Sequence, residues 1–170
     1  GNRRFALVRL RDRIVRDIDE SAGRAIILDP SDPAAWQLRS IALIYLGRWD
    51  AALEASAMRI KLDPNDPDGY VVRAWVMTMT GRPEEGVKLV ERALAMNTPN
   101  IGWTMRIACE AHLLAGQAQQ AIATCENSTG TSIYWYTHLS LAAAYANQGD
   151  MNKAAAARVE ILRIVPGYTI

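Results

Sequence analysis

Residues 44–67 read IYLGRWDAALEASAMRIKLDPNDP, and this stretch decides the fold. A helix that ends in Leu46-Gly47 is followed at once by a second apolar-periodic segment, which closes in Leu62-Asp63-Pro64. Asp66-Pro67 then supplies a helix N-cap and a proline suited to the first helical position. The punctuation recurs along the chain. Gly47 and Gly81 are 34 residues apart, and Gly81 and Gly149 are 68 apart. Pro30, Pro64 and Pro166 stand at intervals of 34 and 102, and Ala52 and Ala154 are again 102 apart. A period of 34, with a glycine turn inside each unit and a proline turn at its end, marks stacked helical hairpins.

Outward from that stretch, the spacing predicts a lead-in helix at about 4–28 and helix pairs at about 33–62, 67–96, 100–126 and 132–164. Together they form one repeat domain over 1–170. The third unit departs from the period: Gly81 to Gly116 is 35 residues and Gly116 to Gly149 is 33. The polar segment Glu126–Thr131 predicts an early end to its second helix. No segment alternates as a β-strand, and no low-complexity tract divides the chain.

These residues resemble the tetratricopeptide repeat (TPR) family. The unit at 33–66 supplies Trp36, Gly47, Ala52, Leu62 and Pro64. The next supplies Tyr70, Ala74, Gly81 and Ala93, but carries Gly86 where the family has alanine. The unit at 135–168 supplies Ala142, Tyr145, Gly149, Ala154 and Pro166. The resemblance implies an all-α, right-handed superhelical solenoid of antiparallel helix pairs, a fold that usually binds proteins and rarely performs chemistry. The end of the chain, Leu141–Tyr145 through Gly149 to Pro166–Ile170, is also similar to C-terminal repeat regions of bacterial signalling proteins. Those regions follow nucleotide-cyclase or DNA-binding regulator domains.

In the TPR register the first helix of each pair lines a concave wall. The resemblance places Gln37, Leu38, Ile41, Ile44 and Tyr45 on it, then Val71, Val72, Trp75 and Met79. Trp103, Arg106, Ile107 and Glu110 follow from the third unit, and Tyr136, Leu139, Ser140 and Asn147 from the fourth. The expected partner-binding set is Gln37, Ile41, Tyr45, Val71, Trp75, Met79, Trp103, Arg106, Glu110 and Tyr136. This wall is apolar and aromatic and fits an apolar or amphipathic peptide or helix. Some TPR proteins clamp a C-terminal carboxylate with cationic residues, but here Gln37, Ile41, Val71 and Trp75 occupy that path. The competing reading is that these side chains are simply core.

Other features point away from catalysis and cofactors. Cys109, His112, Cys125 and His138 have no ordinary zinc spacing. Two cysteines do not make a disulfide framework and read as buried packing residues. The run Asp63–Gly69 fails as a calcium loop, because Pro67 fills a ligand slot and Ala74 stands where the bidentate Glu belongs. Asn127-Ser128-Thr129 matches a glycosylation acceptor but reads as a polar loop without a secretory signal. No phosphate loop or nucleophile elbow occurs. The chain is therefore expected to be no enzyme and to need no cofactor or metal.

The formal net charge of +1 argues against a polyanion binder. The N-terminal helix does concentrate arginine, with Arg3, Arg4, Arg9, Arg11, Arg13 and Arg16 beside Asp12, Asp17, Asp19 and Glu20. Its interleaved acids favour a solvated, ion-paired face over nucleic acid. Self-association through this helix or the last pair is the alternative to partner docking, since 151–164 retains Met151, Val159, Leu162 and other apolar residues. No apolar run of about 20 residues could span a bilayer. The absent leader leads to an expected cytoplasmic setting, and Gly1 in place of Met suggests a piece of a longer protein.

Overall fold

The computed structural model describes residues 2–129 and 135–168, with side chains for 9–128 and 135–168. The described residues form helices and turns only. They comprise α1 (Asn2–Leu28), α2 (Pro33–Tyr45), α3 (Trp49–Leu62), α4 (Pro67–Met79), α5 (Pro83–Ala95), α6 (Ile101–Leu114), α7 (Ala118–Thr129), α8 (Trp135–Asn147) and α9 (Met151–Ile164). The second helix of the third unit does not stop near 126 but continues to Thr129. The expected start of the fourth pair at 132 lies outside the described residues.

Local chemistry sets the punctuation. Gly47, Gly81, Gly116 and Gly149 have φ of 68°, 80°, 74° and 82°. In this left-handed region a Cβ is penalised, so glycine fits. Each allows the next residue's N–H to reach back five residues: Arg48 to the Leu43 carbonyl, Arg82 to Met77, Gln117 to His112 and Asp150 to Tyr145, all at 2.9 Å. That bond consumes a carbonyl the helix end would leave unpaired. At the helix starts, the Asp32 and Asp66 carboxylates accept from the N–H groups of Ala34 and Asp68 at 2.9 and 3.3 Å, ahead of Pro33 and Pro67. One tie recurs with the period itself. Trp36 Nε1 donates to the Pro30 carbonyl and the Tyr70 hydroxyl to the Pro64 carbonyl, both at 2.9 Å. In the third unit this place belongs to Thr104, fully buried, whose hydroxyl bonds the Asn100 carbonyl and meets the Thr98 hydroxyl.

Each helix packs on its neighbours in sequence, and α2, α4, α6 and α8 also touch one another in succession. Among the described residues α3, α5, α7 and α9 do not. The first helices therefore make a continuous inner layer and the second helices an outer one, as in a superhelical solenoid. Two cores result. One runs through α2–α6 around Leu43, Tyr70, Val71, Val76, Val90 and Ile107. The other joins α6–α9 around Cys109, Cys125, Leu141, Tyr145, Ala154 and Ala157.

Gly86 is explained by hairpin packing. A Cβ there would meet the Thr78 hydroxyl and come 2.9 Å from the Ala74 carbonyl oxygen. The hydroxyl holds that site by donating to the same carbonyl at 2.8 Å. Alanine, the family's residue, would overpack this crossing.

The cysteines correct the reading made from sequence. Cys109 on α6 and Cys125 on α7 form a disulfide, with Cα atoms 5.1 Å apart and both residues fully buried. Their separation of 16 residues spans one hairpin, whose antiparallel helices bring the two positions face to face.

Candidate partner-binding groove

The inner layer encloses a cavity of about 530 Å³. Its floor is Trp75, 8% exposed, with Tyr45 packed edge-on at 5.4 Å between ring centroids. Met79, Trp103, Tyr136 and Leu139 continue the lining from α4, α6 and α8. Tyr45, Met79, Leu114 and Tyr136 are 46–57% exposed, so the rim presents large apolar side chains to solvent. A patch of this kind costs free energy when uncovered, and concave apolar sites of this size are where ligands are bound.

Two charged groups line the cavity, Arg106 and Glu110, one turn apart on α6. Arg106 Nη1 donates to Glu110 Oε1 at 2.6 Å, and both side chains are largely buried. The guanidinium also lies 5.3 Å from the Trp75 ring centroid, over its face. Burial pushes the Glu110 carboxyl above its ordinary value, while the charge and hydrogen bond of Arg106 pull it down. The pair neutralises itself and leaves the cavity without net charge.

The structure brings seven of the ten expected residues to the cavity: Tyr45, Trp75, Met79, Trp103, Arg106, Glu110 and Tyr136. It separates the other three. Val71 is fully buried in the core, and Ile41 packs against that core outside the cavity. Gln37 Oε1 accepts from Arg59 Nε at 2.9 Å, which assigns the side chain to a structural network. Of the remaining wall residues, Ile44, Val72 and Ile107 are buried core as well. A helix between two neighbours carries apolar residues on both flanks, so periodicity alone misplaces them. Leu113, Leu114 and Ala143 line the cavity without having been identified from sequence. The signal was present: Leu113 and Leu114 lie on the Arg106–Glu110 face, one turn further on.

Among the described residues no group of three or more His, Cys, Asp or Glu side chains could hold a metal ion. His112 is buried, with Nδ1 2.7 Å from Gln117 Oε1, and the cysteines are bonded to each other. No described helix is long and apolar enough to cross a membrane.

No family model matches the chain, and no curated protein matches it. Solved structures do. The type IV pilus biogenesis factor PilW superposes with a TM-score of 0.83 at 21% identity, over 98% of this chain and 77% of that one. The thermophilic TPR protein TTC0263 of Thermus thermophilus gives 0.76 at 20%, over 96% and 87%. YrrB, described as a TPR protein with an unusual peptide-binding site, gives 0.67 at 14%, over 97% and 85%. At these identities the likeness establishes the fold, a TPR-type solenoid.

Proposed function

We propose that the chain is a docking module whose inner groove binds an amphipathic helix of a partner protein through that helix's apolar face. The observation that carries this is the groove itself: about 530 Å³, floored by Trp75, rimmed by exposed Tyr45, Met79, Leu114 and Tyr136, and electrically neutral because Arg106 and Glu110 satisfy each other. An unpaired charge on the partner would meet no free counterpart there, whereas apolar anchors spaced three and four residues apart match the helix-in-groove mode of recognition. The receptor helices are preformed, so little ordering cost falls on this side.

The test is selection of displayed random peptides on wild type, followed by binding to a folded Trp75→Ala variant. Enrichment of apolar residues at helical spacing, with at least tenfold weaker binding to Trp75→Ala, is expected. Enrichment of charged motifs, or equal binding by the variant, would refute groove docking.

The setting is part of the proposal. Similarity of the last 30 residues to repeat regions of bacterial signalling proteins supports a role inside a larger signalling or regulatory protein. The buried cystine favours an oxidising compartment over the cytoplasm expected from sequence, because cytosolic thiols are kept reduced. Thiol titration of denatured protein isolated from its source cells checks this. No free thiol supports the oxidising setting; two free thiols would return the protein to the cytoplasm.

A further inference from the structure

The backbone after α9 turns back onto the solenoid. The Val165 N–H still bonds the Ile161 carbonyl at 2.8 Å, and then Pro166 and Gly167 redirect the chain. Gly167 has φ of 89°, and the Tyr168 N–H donates to the Val165 carbonyl at 3.1 Å. Proline followed by glycine at positive φ, closed by that bond, is the chemistry of a type II turn. The earlier units differ at this place. Ser31 and Asn65, which follow Pro30 and Pro64 as Gly167 follows Pro166, do not have positive φ. The next residue there is the N-cap of a first helix, Asp32 or Asp66. In the last unit Tyr168 stands at that position.

The turn brings the Tyr168 ring to 4.8 Å from that of Trp135, the first residue of α8. Trp135 is in turn stacked on Tyr136, with centroids 3.8 Å apart and planes 28° apart. Tyr136 lines the groove, whereas Trp135 and Tyr168 do not. The rings thus run in series from the tail to the groove rim. Tyr136 needs such support more than the other aromatic anchors. Trp75 is held from inside the groove, by Tyr45 edge-on and by the Arg106 guanidinium over its face. Tyr136 is 50% exposed, and its hydroxyl bonds no described residue. It sits in the first turn of α8, where side chains lean back past the helix start. A stacked neighbour restricts its rotamers, and an anchor ordered in advance loses less freedom on binding.

We infer that Tyr168 and Trp135 are positioning residues for the groove: the Pro166-Gly167 turn sets Tyr168 against Trp135, and the stack holds Tyr136 ready as an anchor for the docked helix. This rests on docking in the groove, and it makes a segment outside the groove a determinant of affinity there.

Two measurements on the chain of 170 residues test it. Without ligand, nuclear Overhauser contacts between the Trp135 and Tyr136 rings should be strong in wild type and in Tyr168→Phe, and largely lost in Tyr168→Ala. With a helical peptide selected on wild type and lost by Trp75→Ala, Tyr168→Ala should bind about three- to tenfold more weakly, the worth of one aromatic stack. Tyr168→Phe, which keeps the ring, should bind as wild type does. In a Tyr136→Ala background Tyr168→Ala should cost nothing further, whereas its effect should add to that of Met79→Ala on α4. Ring contacts that persist in Tyr168→Ala, equal binding by that variant, or a loss that remains in full without Tyr136 would each overturn the assignment. Failure to select any such peptide would refute docking and not the brace, which the ring contacts decide alone.

Discussion

The α2–α5 half and the α6–α9 half of the solenoid share a period but are held by different means. In the first, bulky side chains interlock: Leu43, Tyr70, Val71, Val76 and Val90 fill the crossings, and a buried guanidinium ties the hairpins together. Arg59 is 6% exposed, pairs with Asp66 and bonds Gln37. In the second, the buried apolar residues are fewer and smaller, among them Ala144, Ala154 and Ala157. There a cystine and the hydrogen bond from the Tyr145 hydroxyl to Glu126 stand in for missing bulk. A repeat fold thus tolerates loss of packing in one unit when another kind of link closes the hairpin.

The sharpest way to break this contrast is to remove the partner of the buried cation. Asp66→Ala strips Arg59 of its main counter-charge and α4 of its N-cap, and should cost about 3–5 kcal/mol. Adding Arg59→Met should recover most of that loss, because the uncompensated charge is gone. Urea unfolding of the two variants measures both effects.

Next in size, Cys109→Ala/Cys125→Ala should cost about 3 kcal/mol, as expected for release of a loop of this length. Hydrogen exchange should show the loss concentrated in α6–α9, with α2–α5 protection largely kept. A uniform loss would erase the distinction between the halves. Within the first half, Gly86→Ala should cost about 1–3 kcal/mol by overpacking. Thr78→Ala in the same chain should relieve part of it, as read from thermal melting.

The smallest effect is a pH dependence of the second half. The hydrogen bond to Glu126, then burial, push the Tyr145 phenol from 10.0 up to about 12. Its folded value lies above its unfolded one, so the stabilisation is complete below pH 10 and is lost as pH rises through about 12. Tyr145→Phe should flatten that part of the stability profile.

The solenoid was legible in sequence because its devices are local. A glycine at a helix end, an aspartate before a proline and an aromatic near the start of α2 and of α4 fix turns through contacts within a few residues. The groove was legible only in part. Trp75, Tyr45 and Met79 follow from the register, but Val71 and Ile44 stand in the same register and serve the core. Which flank of a sandwiched helix meets solvent depends on its neighbours. The cystine was hidden for a related reason. Sixteen residues is no recognisable spacing until α6 and α7 are folded back on each other, when Cys109 and Cys125 come into contact.

That cystine also changes how the molecule answers tension. A solenoid pulled from its ends can release helices one after another, each residue adding at most about 3.3–3.6 Å of length. The segment between Cys109 and Cys125 is short-circuited by the bond, so roughly 50 Å of extension is withheld at that same rise per residue. The third hairpin is then a knot of fixed length in an otherwise extensible cord.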